Sequence, residues 1–368
     1  MLWPCGAAGL SAYTQPVTKS EPEIPAQPKS NGHDAHKPSL ITDVAKLANV
    51  STATVSRVLN TPEVVAPATA DRVREAMSEL RYRPNIFAKG LVSRTSRVLG
   101  IIMPDFLGEF YTQLLQSADT AAREHGYHVV VTSDTRLGSA DAVQSLPLNF
   151  LDGIIALLTF PDRKLTKSLV DQNMPMVLID TEEGLPGIDR IRIENEPGSR
   201  QAATHLLETV APKDCFHVGG PATNFDAKDR AKAFNDVLSQ EAGSVDKHQI
   251  VFGDFSADWG YEWGLANLPA RRDKITGVFA GNDEIALGVM SAASEVGISI
   301  PSQLRIVGFD GTRICDIIRP ALSSVAVPFE LIGRSAVELC LSRIAEPSRK
   351  AETIPAETHL VVRESSKP

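Results

Sequence analysis

The sequence predicts a small all-α helix-turn-helix head, joined by a basic hinge to a larger α/β region built on parallel sheets. Three observations carry this expectation. Residues 42–60, TDVAKLANVSTATVSRVLN, hold two short helical patterns, apolar on one side and polar on the other. Residues 39–97 hold nine Lys and Arg against five Asp and Glu, about +4 in a chain whose formal net charge is −8, so positive charge gathers in this stretch. From residue 98 short apolar runs alternate with helical segments, the pattern of parallel strands covered by helices.

On the first helix Val44, Leu47 and Ala48 recur at helical spacing. A break follows at Asn49-Val50-Ser51, where the Ser51 hydroxyl suits an N-cap because it accepts from an early N–H that has no partner inside the helix. The second helix turns Val55, Val58 and Leu59 inward and leaves Thr52, Ala53, Ser56, Arg57 and Asn60 outward or near an end. Small hydrogen-bonding side chains with one Arg suit the major groove of duplex DNA, where a guanidinium meets guanine O6 and N7. A helical hairpin packed inside a larger core would not need that polar outer face. Residues 67–80 form a third amphipathic helix, with Val73, Ala76, Met77 and Leu80 on one stripe and Pro67 in its first turn. The stretch 81–97 is basic and has no large apolar face, so head and hinge are attracted to phosphate while the acidic remainder is not.

The segments DVAKLANVSTATVSRVLN and RVREAMSELRYRPN, with the A-K-G-L of Ala88 to Leu91, resemble in order and spacing the N-terminal domain of the LacI-type (LacI/GalR) family of bacterial transcription regulators. The resemblance implies that Thr52, Ala53 and Arg57 read bases, within a DNA-facing set that also takes in Thr54, Ser56 and Asn60. Ala53 has no hydrogen-bonding side chain, so any readout there is apolar, as against a thymine methyl. In the family a hinge segment folds as a helix on DNA and wedges a leucine into the minor groove. Leu91 occupies that position here, and Asn85 and Ala88 share the hinge. Gly90 lowers helix propensity by about 1 kcal/mol relative to Ala, which fits a hinge that orders only when DNA and dimer hold it.

The apolar runs after the hinge are VLGIIM (98–103), YHVVVT (127–132), GIIALL (153–158), MVLID (176–180), CFHVGG (215–220), TGVFA (276–280) and LRIVGF (304–309). FYTQLLQSADTAAREHG and DEIALGVMSAASEVG are helix candidates between them. Many runs end in polar residues or glycine, and in open parallel sheets ligands bind beyond the carboxyl ends of strands. The resemblance continues to about residue 364 and implies a periplasmic-binding-protein-like domain of two subdomains closing over a ligand. Its organisation is then a disordered extension at 1–38, a DNA-binding domain at 39–83, a hinge helix and linker at 84–97, and an effector-binding and dimerisation domain at 98–364. Subdomain 1 is expected to span 98–194 and 323–346, subdomain 2 to span 195–322 and 347–364, with crossovers near Glu194 and Leu322.

Pocket residues carry over from the resemblance one at a time. Phe110 and Tyr111 match an aromatic pair at the start of the first regulatory helix, although Gly108-Glu109 stands where Asn-Pro is usual. Asp180 ends the fourth run, and Arg230 matches an arginine of the family pattern R-x-x-G-F with Ala233 replacing the glycine. Phe255, Asn282 and Asp310 complete the set. The chemistry is coherent without the family: carboxyl and amide groups pair with vicinal hydroxyls, and a planar guanidinium bridges adjacent oxygens. Phe255 or Trp259 would cover an apolar ring face. Each residue also has a plainer role open to it. Asn282-Asp283 caps the next helix, with Asp283 the expected cap; Phe110 and Phe234 fill core, Phe234 above all; Arg230 pairs with a surface acid; Asp134 sits at a rim or turn.

Other chemistries find little support. There is no G-x-x-x-x-G-K-[ST], GGPATN is not G-x-G-x-x-G, and VVVTSDT lacks the glycine-rich turn of a phosphoribosyl site. The eight histidines form no H-E-x-x-H, no C-x-x-C occurs, and no serine sits in G-x-S-x-G, so no metal, cofactor or catalytic residue is expected. Cys5, Cys215, Cys315 and Cys340 are widely spread and read as reduced thiols. Residues 1–38, rich in Pro, Ala and Ser, read as disordered: an upstream start-site artefact, a tag-like tail or a flexible arm. They lack the basic start and apolar stretch of a signal peptide, and no window reaches the roughly 20 apolar residues of a membrane span.

The function expected is that of a bacterial cytoplasmic repressor, at the nucleoid when bound to its operator. A homodimer places two recognition helices on a pseudo-palindromic operator, and a small molecule, a sugar or sugar derivative, acts through the hinge with a coupling of typically ~1–3 kcal/mol. VVRESSKP carries no leucine heptad, so no tetramerisation tail is expected. The rival, an α/β enzyme fused to a DNA head, lacks a convincing nucleophile or acid–base pair. A transport binding protein is disfavoured by the head.

Overall fold

The computed structural model describes residues 39–82, 95–104, 108–133, 150–157, 174–181 and 187–367. The chain divides into two compact units, Met1–Pro84 and Asn85–Pro368. The hinge positions Asn85, Ala88 and Leu91, and the extension 1–38, lie outside the described residues.

In the first unit α1 (Ile41–Leu47), α2 (Thr52–Asn60) and α3 (Pro67–Glu79) enclose a core of Val44, Ala45, Ala48, Val55, Val58, Ala70, Val73 and Ala76. The turn after α1 passes through Asn49 in the left-handed region (φ 50), which Asn tolerates better than most residues. Ser51 then caps α2, its Oγ accepting from the Thr54 N–H at 3.1 Å. One expectation fails: Leu47, placed inward by spacing, is 46% exposed. The inner face of α1 is centred on Val44, Ala45 and Ala48, which leaves the last residue of that short helix off the stripe.

The second unit holds two six-stranded sheets. The first has the order β11-β5-β4-β3-β1-β2 and is parallel throughout. Its strands are β1 (Val98–Met103), β2 (His128–Ser133), β3 (Gly153–Leu157), β4 (Met176–Ile179), β5 (Asp189–Glu194) and β11 (Thr353–Glu357). The second has the order β12-β10-β9-β8-β6-β7, parallel except where β12 (His359–Val361) runs against β10 (Ser323–Ala326). Its other strands are β6 (Cys215–Gly219), β7 (Ile250–Phe252), β8 (Thr276–Ala280) and β9 (Leu304–Asp310). Each of the seven apolar runs supplies a strand, and β3, β4, β6, β8 and β9 are buried along their whole length. Helices α4 (Glu109–Glu124) and α10 (Phe329–Ala345) pack together on the first sheet. Around the second lie α5 (Asn195–Leu207), α6 (Phe225–Ala242), α7 (Ala257–Asn267), α8 (Asp283–Glu295) and the single turn α9 (Ile314–Ile317). Among the described residues no helix is long and apolar enough to cross a membrane.

The chain passes between the subdomains three times, and two of the expected boundaries are corrected. The first passage is at Glu194–Asn195, as β5 ends and α5 begins. The second comes after Ala326, because β10 pairs with β9 in the second sheet (Ser324 opposite Gly308) before α10 returns to the first. Residues 323–326 thus belong to the second subdomain. The third lies at Thr358: residues 353–357 add to the first sheet beside β5, and 359–361 to the second beside β10. Thr358 Oγ1 donates to the Glu194 carbonyl at 2.6 Å and accepts from the Gly198 N–H at 3.2 Å, which ties the third passage to the first. Any side chain at Gly198 would collide, since a Cβ there would stand 2.2 Å from Val325 Cγ1 and 2.6 Å from Thr358 Oγ1.

Asp189, fully buried at the start of β5, fastens the returning segment. It accepts from Arg343 Nε at 2.9 Å, Arg349 Nη2 at 2.7 Å and the Glu352 N–H at 2.9 Å. Removing a buried ion partner strands the opposite charges, so Asp189→Ala is expected to cost about 3–5 kcal/mol in urea unfolding. A loss under about 1 kcal/mol, typical of an exposed pair, would remove this role.

Candidate functional site

The carboxyl ends of strands from both sheets meet over a cavity of about 340 Å³. Two strand-end aspartates have positive φ, Asp180 after β4 (φ 56) and Asp310 at the end of β9 (φ 110). For a residue with a Cβ such backbone is strained, and strain of this kind gathers at functional sites. All seven effector positions expected from sequence line the cavity: Phe110 and Tyr111 from the start of α4, Asp180, Arg230 from α6, Phe255, Asn282 and Asp310.

Arg230 is the centre of the arrangement. Only 4% exposed, it is no surface salt-bridge partner. Its Nε donates to Asn195 Oδ1 at 2.8 Å and its Nη1 to the Gly281 carbonyl at 2.6 Å. The guanidinium lies 3.6 Å from the Phe309 ring centroid, a cation–π contact, with Asp310 Oδ1 4.0 Å from Nη1. Asn195 Nδ2 passes the chain of hydrogen bonds to Asp226 Oδ1 at 2.6 Å.

Asp226 meets Asp180 across the cleft, one from each subdomain, and the two share a hydrogen bond. Burial pushes the Asp180 carboxyl well above the ordinary value; the charge of Asp226 adds to this and Arg230 opposes it. Burial likewise raises Asp226 against the pull of Arg230. Asp310 is raised well above normal although Arg230 is beside it, so desolvation outweighs the ion pair. Among the described residues, two buried side-chain atoms of lining residues have no hydrogen-bond partner, Asp180 Oδ1 and Asn224 Nδ2. A second link spans the cleft at its rim, where the Ile314 N–H donates to Glu109 Oε2 at 3.0 Å. Among the described residues no group of three or more His, Cys, Asp or Glu has the geometry to hold a metal ion.

The plainer roles sort themselves residue by residue. Asn282, not Asp283, caps α8: its Oδ1 accepts from the Ile285 N–H at 2.9 Å. Asp283 points elsewhere and accepts from Thr312 N–H and Oγ1, both at 2.8 Å, and from Ser324 Oγ at 2.5 Å, binding together the ends of β9 and β10. Phe110 serves both purposes, packing edge-on against Phe329 (centroids 5.2 Å apart) while it lines the cavity. Phe234 is core. Of the two aromatics considered as a platform, Phe255 lines the cavity. Trp259 instead packs on the second sheet's core and donates Nε1 to the Gly219 carbonyl at 3.1 Å. Gly220 gives Phe255 its place, since a Cβ there would stand 2.3 Å from the ring. Asp134 lies outside the described residues.

The sequence reading missed Asn195, Asn224, Asp226 and Glu109. Asp226 was within reach, because it stands four residues before Arg230 and so on the same face of α6. Glu109 sits at a noted departure from the family pattern.

On the head, Thr52, Ala53, Arg57 and Asn60 are exposed. Thr54 and Ser56 are half-buried. Thr54 Oγ1 hydrogen-bonds Ser51 Oγ at 2.9 Å, and Ser56 Oγ accepts from Asn60 Nδ2 at 3.2 Å.

The family model for bacterial regulatory proteins of the lacI family matches residues 40–85, and that for a periplasmic binding protein-like domain matches 213–366. The ribose operon repressor of Halalkalibacterium halodurans is 33% identical over 332 residues, 89% of this chain and 97% of the relative. The chain belongs to the LacI family. This LacI-family protein is also 30% identical over 331 residues to catabolite control protein A of Priestia megaterium, covering 89% of this chain and 99% of that one. Among solved structures it resembles the lac repressor dimer bound to operator and the anti-inducer ONPF, with TM-score 0.78, 26% identity and coverage of 90% and 100%. It is therefore a helix-turn-helix transcriptional regulator with a two-subdomain periplasmic-binding-protein-like domain.

Behind Arg230 stands His217, fully buried between the rings of Phe234 and Phe279, with Nδ1 3.0 Å from the Phe279 carbonyl oxygen. Burial lowers its pKa from 6.5 to about 4. The folded state thus binds fewer protons than the unfolded state between these values, so this contribution is present above pH 6.5 and lost as pH falls towards 4. Relative to His217→Phe, the wild type should lose up to ~1.4 kcal/mol per pH unit across that window in urea unfolding. A difference independent of pH would mean that His217 is not held neutral.

Proposed function

We propose that this regulator is a homodimeric repressor whose operator affinity is set by a polyhydroxyl effector bound between its two subdomains. The observation that carries the effector reading is the convergence, in one cavity, of an aromatic face at Phe255, the Arg230 hub and the unpartnered Asp180 Oδ1 and Asn224 Nδ2. Buried polar atoms without partners are costly, and hydroxyls that both donate and accept satisfy them. The relatives' names agree in kind: a ribose operon repressor, and a regulator solved as a CelR–cellobiose complex at 27% identity and TM-score 0.66. In this reading the cavity binds and does no chemistry, and the protein acts in the cytoplasm at its operator. The dimer follows the lac repressor, solved as a dimer on operator.

On DNA, Arg57 reads a guanine, Thr52 and Ala53 read neighbouring bases, and Thr54, Ser56 and Asn60 support them at the groove. Asn85 and Ala88 belong to the hinge contact, and Leu91 is the minor-groove wedge. The effector acts by binding one arrangement of the subdomains better than another, since a ligand moves an equilibrium only by its differential affinity.

Two measurements test this. Arg57→Ala should weaken operator binding by ~1–3 kcal/mol in fluorescence anisotropy and leave random-sequence binding nearly unchanged; equal losses on both would contradict base reading. Asp310→Asn and Phe255→Ala should abolish the response of operator binding to a neutral sugar identified by thermal shift, with operator binding itself retained. A normal response in both variants would move the effector site elsewhere.

A further inference from the structure

Among the described residues, acidic side chains stand beside the cavity's one cation and at helix N-termini that open onto it. Proteins hold phosphates and carboxylates with free cationic side chains and with the open N–H groups and positive dipole ends of helix N-termini. Among the described lining residues the one Lys or Arg is Arg230. Its Nε and Nη1 already serve Asn195 and the Gly281 carbonyl, and its charge faces Asp310.

Three helices longer than a single turn begin at the cavity, and each carries acid in its first turn: Glu109 in α4, Asp226 in α6, Asp283 and Glu284 in α8. Two of these helices are also closed by side-chain caps. Asn224 Oδ1 takes the Ala227 N–H at 2.9 Å, and Asn282 Oδ1 takes that of Ile285. The dipoles that would attract a phosphate are thus already matched by protein carboxylates. Asp180 and Asp310 complete the acidic lining.

We infer that the effector is a neutral sugar, carrying neither a phosphate ester nor a carboxylate. The inference rests on the polyhydroxyl reading above and narrows it. A neutral hydroxyl reaches Asp180 Oδ1 as donor and Asn224 Nδ2 as acceptor without adding charge. A phosphate brings nearly two negative charges into a low-dielectric space where burial already disfavours the ionised forms of Asp180, Asp226 and Asp310. The regulator accordingly senses its sugar in the free form, before any phosphoryl transfer to it.

Isothermal titration of the full-length protein tests this with neutral pentoses, hexoses and disaccharides, each set beside its phosphate ester and its sugar acid. The expected result is a neutral sugar that binds, with its phosphate ester and acid weaker by roughly 100-fold or more. Glu284→Gln, at the rim, should narrow that gap by strengthening the ester more than the parent. An ester or acid that binds as tightly as its neutral parent would overturn the inference and leave the polyhydroxyl reading standing. Failure of every sugar, neutral and anionic, would overturn the reading and the inference with it.

Discussion

The buried guanidinium of Arg230 is the constraint on which the rest of the effector domain's architecture turns. A cation that is 4% exposed is costly unless its hydrogen bonds and its charge are both answered. The answers come from places far apart in sequence: Asn195 at the start of α5, Gly281 just past β8, the Phe309 ring and Asp310 at the end of β9. Satisfying one side chain thereby fixes three strand and helix ends in space. The acidic cluster depends on it in turn, since Arg230 opposes the desolvation that raises Asp180, Asp226 and Asp310.

The same cluster lies where the two subdomains meet. Asp180 reaches from the first to Asp226 of the second, and Glu109 reaches across to the Ile314 N–H at the rim. The first and third chain passages are tied together through Thr358 and Glu194. A hinge held at its base by fixed hydrogen bonds, with a few polar contacts across its mouth, suits movement by rotation rather than by sliding. Among the described residues, the contacts across the cleft include one between carboxyl groups. A ligand that replaces them with hydroxyl contacts has leverage on the closed state out of proportion to its size.

Much of this was legible in the chain, and the rest was hidden for identifiable physical reasons. Runs such as GIIALL and LRIVGF declared their strands because both faces are buried. β5, DRIRIE, is charged, and β7, β10, β11 and β12 are only three to five residues long, three of them at sheet edges, so none carried such a signal. Losing β10 and β11 is what displaced the subdomain boundaries, for pairing across some 160 residues of sequence, as between Ile354 and Ile191, leaves no local trace. At the site, strand-end position brought Asp180, Asn282 and Asp310 to the lining of the cavity. It did not separate Asn282, which caps, from Asp283, which binds strand ends together, because both types accept from backbone N–H groups equally well. Asn195 was beyond reach, since its role comes from contacts with Arg230 and Asp226, 35 and 31 positions away.

The central claim is that the cavity organised by Arg230 is where the effector binds, and the most direct measurement is a crystal structure of the protein saturated with a neutral sugar that shifts its melting temperature. The account predicts ligand oxygens within about 3 Å of Asp180 Oδ1 and Asn224 Nδ2, with the sugar ring against Phe255. Density for the sugar anywhere else, with this cavity left empty, would contradict it.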